Sequence, residues 1–334
     1  MQSADPQEFY KRLSLTSSQL QQWLADNSQG LCHLLFDPTL RPLKDGEQFA
    51  QVLARVAPPS GEPARCIVRL PEKSIFAWQQ PWVSTLDTRH GDASLAVTES
   101  LREALAELAP QPLLRGFGRR IGGWLVSPEP AKAIAAHLSR VLVQTTNSGQ
   151  RMLLRLSDPA VLWPLYALLT PTQRSAAFGP IQHWWLLDPA GHPVRLERPA
   201  AESGEPDPTR LVLTAEQWAD VMRLNAFNGA INRWLAEQRQ YPSAAHMAHM
   251  AGVALLALRR GAAHGLADTD DLTRFAHHAL TVNPEFDRHA LMQDLLKRCR
   301  TPSNPSGERY GALSDELSAT DWERIHTETP HAHG

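Results

Sequence analysis

The feature that most constrains this fold is the stretch ERPAAESGEPDPT, from Glu197 to Thr209. Its three prolines and polar composition leave no run of apolar residues for a helix or strand to bury, so no regular element passes through it. The patterns on its two sides differ. Before it, short apolar runs alternate with helical segments; after it, apolar residues recur only at helical spacing. At 334 residues the chain is long enough for two domains with a core each. The expected organisation is an α/β (α+β) N-terminal lobe over residues 1–198, with a mixed sheet flanked by helices, a Pro-rich linker over 199–211, and an all-α lobe over 212–300. Residues 301–334, with PSNPSG and the terminal HAHG, are expected to form a partly mobile tail.

In the first lobe, Thr16 and Gln19 have capping-box spacing ahead of Leu20, Trp23 and Leu24, and Gly30 closes that helix. LCHLLF (Leu31 to Phe36) stops at Asp37-Pro38 and reads as a buried strand. A helix over 46–56, a strand over 65–70, a surface loop over 87–94 and a helix over 98–108 follow. GWLVS (Gly123 to Ser127) is the next strand. Ser127-Pro128-Glu129 then offers an N-cap, a proline and an acid for a helix with Ile134, Leu138, Val141 and Leu142 on its inner face. TTNSGQ sits between two extended runs as a hairpin signal. Asp158-Pro159 and Thr170-Pro171 each repeat the cap-then-proline pattern, the chain breaks at Gly179-Pro180, and IQHWWLLD and PVRLER form an extended pair around PAGH. Long crossovers permit parallel neighbours and tight turns imply antiparallel ones, hence the mixed sheet. In the second lobe Thr214 and Gln217 form a capping box before Trp218, Val221, Met222, Ile231, Trp234 and Leu235. Ser243 caps a second helix ending near Gly265, Asp268 or Thr269 a third, and Asp287 begins a fourth that carries Leu291, Leu295 and Leu296.

Composition excludes several classes. Lys+Arg 33 against Asp+Glu 35 gives −2, which argues against general attraction to nucleic acid or anionic lipid, while a local basic patch stays compatible with it. The longest apolar run, Met250 to Leu258, is far short of the ~20 residues a bilayer requires. The N-terminus lacks the apolar core of a secretory signal, so a cytosolic protein is expected. Cys32, Cys66 and Cys299 are odd in number and widely spaced, which fits reduced, buried thiols.

Few residues have the setting of a reaction centre. Ser127 follows a strand and precedes a helix but has no flanking glycine, so it reads as a cap rather than a nucleophile. Gly116, Gly118, Gly122 and Gly123 precede a strand instead of following one, which fits a flexible loop better than a phosphate loop. His246 and His249 have the spacing of two metal ligands on one helix, but no third ligand stands nearby, and their Ala and Met neighbours suggest a buried face. His277-His278 diverge on a helix, and His331 and His333 lie in the tail. Arg155 is placed to bond Asp158, with Arg140 as a third member, and a paired carboxylate can mark an active site. Without a neighbouring nucleophile the pair reads as structural. No metal and no cofactor is expected; a hydrolase or metal enzyme built on Arg155/Asp158 or His246/His249 is the rival reading.

One ordered set of motifs points elsewhere. His137-Leu138-Ser139-Arg140-Val141-Leu142, the Gly149 hairpin, LLRLSDPAVL (Leu153 to Leu162) with Asp158-Pro159, LTPTQ (Leu169 to Gln173) and FGPI (Phe178 to Ile181, with Gly179-Pro180) resemble the effector-adaptor, or effector-chaperone, family of bacterial type VI secretion, long filed as a domain of unknown function. LLFDP (Leu34 to Pro38) and QPWVSTL (Gln80 to Leu86) are weaker echoes, as are AAHGLADTDDL and NPEFD in the helical lobe. The chain departs from the family pattern at Ser139, Ser157 and Ala160. The resemblance implies a non-catalytic protein that binds one toxic effector in the producing cell and helps load it onto the trimeric spike of the injection apparatus. It would need neither nucleic acid nor membrane.

The ten tryptophans suit a partner-binding protein as well as a core. Adjacent strand residues point to opposite faces, so of Trp184 and Trp185 one should pack on the helices. The other is then free to anchor a client, unless that face is covered too. Gln173 and Trp82 are the further candidates for partner contact.

Overall fold

The computed structural model describes residues 6–28, 31–40, 48–56, 63–71, 76, 79–109, 113–146, 148–200 and 210–329. They fall into two compact units that divide between Gln217 and Trp218. Most of the Pro-rich stretch, residues 201–209, lies outside the described residues, as do His331 and His333.

The first unit runs through α1 (Pro6–Ser28), β1 (Leu31–Phe36), α2 (Gln48–Arg55), β2 (Cys66–Ile67), β3 (Trp82–Asp87), α3 (Gly91–Ala106) and β4 (Ile121–Val126). It continues through α4 (Ala131–Val141), β5 (Val143–Thr145), β6 (Arg151–Leu153), α5 (Pro159–Leu168), α6 (Pro171–Phe178), β7 (His183–Leu187) and β8 (Pro193–Glu197). Six strands form one sheet in the order β2-β3-β1-β4-β7-β8, and β5-β6 form a separate hairpin. The sheet mixes tight turns with long crossovers in its connections, but each pairing described is antiparallel. The crossovers through α2 (β1 to β2) and α3 (β3 to β4) return in the same sense but each skips one strand, so the neighbour it lands beside is antiparallel.

Both faces are covered, which explains why β1 and β4 read as continuous apolar runs instead of alternating ones. On one face Phe36, Trp82, Trp124 and Trp185 pack with Leu20, Trp23 and Leu24 of α1, Phe49 and Val52 of α2, and Val97 and Leu101 of α3. The other face meets Ile134 and Leu138 of α4, Leu162 and Leu165 of α5 and Phe178 of α6, all buried. At the centre the β1–β4 register shifts between Leu35 and Phe36. The bulge rests on Gly123, whose φ of +129° disfavours other residues and whose added Cβ would lie 2.2 Å from the Trp185 carbonyl oxygen. Gly122 and Gly123, expected in a flexible loop, are thus inside a buried strand.

Several local expectations change. α1 begins at Pro6, so Thr16 is buried mid-helix instead of capping; Ser18 Oγ donates back to the Ser14 carbonyl, and Gln21 reaches Thr98 Oγ1 of α3. α3 starts at Gly91 rather than near 98, because Ala93, Ala96 and Val97 already belong to its buried face. Ser127 does not cap α4, whose N-cap is Pro130; its hydroxyl accepts the Glu129 N–H and donates to the Pro180 carbonyl. The expected caps at Asp158 and Thr170 form.

The second unit is all helix: α7 (Ala215–Glu237), which starts just before the division, α8 (Ala244–Ala263), α9 (Thr269–Thr281), α10 (Ala290–Arg298), α11 (Tyr310–Asp315) and α12 (Ala319–Glu328). Ser243 and Asp268 cap α8 and α9. Asp287 lies in a 3-10 turn, Phe286–Arg288, and α10 begins after His289, whose ring caps it. The stretch expected as a partly mobile tail carries α11 and α12, the latter with a Ser318/Asp321 capping box. Phe275, Phe286 and Tyr310 form the aromatic centre of the second unit, with ring centroids 4.8 and 5.5 Å from Phe275.

Candidate functional site

The sheet brings the end of β1, the start of β4 and the end of β7 to one margin, and the charged residues there form a buried network. Asp37, just after β1, accepts from Thr39 N–H at 3.0 Å and from Ser157 Oγ at 2.6 Å. Asp158 accepts the Ala160 N–H at 2.8 Å as the cap of α5. Its ionic neighbour is Arg119, 3.9 Å away, and not Arg155. Arg155 instead donates to Thr39 Oγ1 at 2.9 Å, so it buttresses the Asp37 turn. Arg119 also donates to the Leu187 carbonyl, while Asp188 accepts from the His192 backbone and ring. Burial raises the Asp158 carboxyl above its usual range, against the pull of Arg119.

Arg120, one residue on, makes a second cluster. Its Nε lies 2.5 Å from Glu107 and its Nη2 3.0 Å from Glu103, and the Ile121 N–H also bonds Glu107. Burial pushes the Glu107 carboxyl up to about 7 in spite of Arg120. Neither Arg119 nor Arg120 stood out in sequence. The available signal was an Arg-Arg pair directly before a wholly apolar strand, since charges entering a core require partners there.

The motif residues serve local geometry. His137 is buried and its Nε2 donates to the Ala177 carbonyl at 2.9 Å. Gly179 turns at φ +54°, and a Cβ there would fall 2.3 Å from the His137 ring. Pro180 offers its carbonyl to Ser127. Gln173 closes the Thr170 capping box and exchanges amide bonds of 2.8 and 2.7 Å with Gln217, which closes the matching box at Thr214. Neither indole of the tryptophan pair is outward. Trp184 is 0% exposed, packs on Phe178 and donates to the Gly122 carbonyl at 2.9 Å; Trp185 is 8% exposed and stacks near Trp23 at 4.8 Å. The expected exposed anchor is absent because helices cover both faces. Trp82 is likewise buried, stacked on Phe36 at 4.9 Å with Arg65 over its ring.

Arg140 does not join Arg155 and Asp158. It is exposed at the mouth of a groove of about 470 Å³ lined by Arg69, Leu70, Pro71, Ser139, Val143, Thr145 and Arg151. His246 and His249 are both exposed rather than on a buried face, because Met247 and Met250 take that role. Among the described residues no group of three His, Cys, Asp or Glu side chains is arranged to hold a metal ion. Cys32, Cys66 and Cys299 are free and buried.

The turn after β1, the α4 motif, the hairpin and the two capped helices thus all belong to the first unit, in that order along the chain. Residues 17–176 match a family described as a domain of unknown function, DUF4123. The DUF4123 match covers just under half of the chain and ends inside α6, short of Gly179-Pro180 and both adjacent tryptophans. Asp37, Arg119, Arg120, His137, Arg155, Asp158 and every residue lining the groove fall within it. Neither a curated protein nor a solved structure matches this chain.

Proposed function

We propose that this chain is a non-catalytic adaptor and chaperone that binds one toxic effector in the cytosol and helps load it onto the trimeric spike of a type VI secretion apparatus. The observation that carries the reading is the DUF4123 match over all but the last motif of the segment whose motif order resembles the effector-adaptor family. The make-up of the site supports it. Arg155 and Asp158, the most enzyme-like pair in sequence, have separate partners, and the buried carboxylates spend their lone pairs on caps, turns and guanidinium groups. His246 and His249, the basis of a metal-enzyme reading, stand exposed without a third ligand among the described residues. No helix of the described chain is long and apolar enough to cross a membrane.

The test is co-expression with the proteins encoded beside it. A toxin should co-purify with this chain and lose solubility when the chain is withdrawn, and the spike protein should be retained only when both are present. A toxin that is soluble alone and never co-purifies would overturn the reading.

A further inference from the structure

The groove beside α4 differs in kind from the buried network. Elsewhere in the first unit, Arg89, Arg102, Arg119, Arg120 and Arg195 each stand against a carboxylate. In the groove Arg69, Arg140 and Arg151 are exposed, and among the described residues none of them makes an ion pair and no Asp or Glu lines the opening. Among the described residues, three guanidinium groups without a carboxylate partner therefore gather in one place. Like charges so gathered repel one another, and an acidic ligand would remove that penalty while gaining charge-assisted, bidentate bonds.

The frame around these arginines is built. Ser139 Oγ accepts the Arg69 N–H at 2.8 Å and donates to the Ala135 carbonyl, which fastens the segment after β2 to α4 beside Arg140. The β5–β6 register sets Arg151 opposite Thr145, on the face that also carries Val143. Leu70 is buried in the floor, and Pro71 and Val143 add apolar surface. Among the described residues β2 is an edge strand with one neighbour, and β5 and β6 have only each other.

We propose that this groove is the docking site for an acidic, extended segment of a partner polypeptide, whose carboxylates meet Arg69, Arg140 and Arg151 and whose apolar side chains meet Leu70, Pro71 and Val143. The identity of that partner as a secreted effector rests on the adaptor reading. A polypeptide suits the groove better than nucleic acid. The described lining has apolar side chains and sheet edges but no aromatic ring on which a base would stack.

The probe is a fluorescein-labelled peptide of alternating glutamate and valine, titrated with the whole protein at low salt and read by anisotropy. It should bind, weaken as salt rises, and lose roughly tenfold or more in affinity to the triple variant Arg69→Glu/Arg140→Glu/Arg151→Glu at an unchanged melting temperature. Should that variant fail to fold, the triple glutamine variant takes its place with the same expected loss. An acidic peptide that does not bind, a triple variant that binds as well as the parent, or an oligothymidylate that binds more tightly than the peptide each overturns the proposal. Co-purification separates it from the adaptor reading. If a neighbouring-gene toxin is retained equally by parent and triple variant, the groove assignment falls and the adaptor reading stands. If the peptide binds through the arginines but no toxin does, the groove stands and the adaptor reading falls.

Discussion

Asp158 accepts the Ala160 N–H as the cap of α5 and lies 3.9 Å from Arg119, with both side chains buried. Removing it strands a buried guanidinium, so Asp158→Ala should cost ~3 kcal/mol or more in chemical denaturation. Arg155→Ala removes one bond from a half-buried side chain, to Thr39, and should cost about 1 kcal/mol. Equal losses would mean that the two residues act as one pair after all. At Gly179 the backbone and the packing argue together. Gly179→Ala must strain φ, at about 1 kcal/mol or more, and also crowd the His137 ring. In a His137→Ala background the second part disappears, so the double-mutant cycle should show the two changes coupled; strictly additive losses would place the ring elsewhere.

At the scale of the element, β7 shows how one strand serves two cores. Trp184 opposes Leu125 and enters the α5–α6 side, while Trp185 opposes Trp124 and enters the α1–α3 side. Both replacements by phenylalanine remove similar volume, yet only Trp184 uses its N–H, on the Gly122 carbonyl; Trp185 Nε1 is buried without a partner among the described residues. Trp184→Phe should therefore destabilise by about 1 kcal/mol more than Trp185→Phe, because it leaves a carbonyl unsatisfied in the bulge of β4. Both variants should still bind the partner at full strength, since neither ring reaches the surface. A selective loss of binding in either one would reopen the exposed-anchor idea.

Across the whole molecule the pH response of the second unit follows from His278. Burial first, then His277 and Arg274, push its pKa down to about 3, and its Nδ1 sits 2.7 Å from the Tyr310 hydroxyl. A depressed histidine pKa means that the unfolded chain binds the proton more readily. The stability it provides is complete above about 6.5 and is lost as pH falls toward 3. Glu107 in the first unit has the opposite sign: its raised pKa favours the fold below the ordinary carboxylate range, and that contribution is lost as pH rises through about 7. Melting curves of the parent and His278→Gln should therefore converge as pH drops from 7 to 5, the glutamine carbonyl still serving the Tyr310 hydroxyl. Curves that stay parallel would show that His278 takes up its proton in the fold at the same pH as in the unfolded chain.

Much of this molecule was fixed locally. The buried run at Leu31–Phe36, the cap-then-proline starts at Asp158 and Thr170, the Gly149 hairpin and the Thr214/Gln217 capping box depend on residues a few positions apart, and the chain itself states them. So does the division into a sheet-bearing unit and a helical one, because short apolar runs on one side and period 3.6 on the other are written in the order of apolar residues. Tertiary structure decided what depends on contacts across long separations. Thr16 has a capping signal, but packing of α1 on α3 carries the helix straight through it. Arg155 stands next to Asp158 in sequence, yet the carboxylate is claimed by Arg119 from β4's approach, since a buried charge takes the partner that reaches it in space. Whether Trp185 faced solvent turned on α1 lying across the sheet, and the three-arginine groove exists only because α4, the hairpin and the edge after β2 converge. Pairing and burial are properties of surfaces, and a surface is assembled from parts of the chain that the local sequence does not know are neighbours.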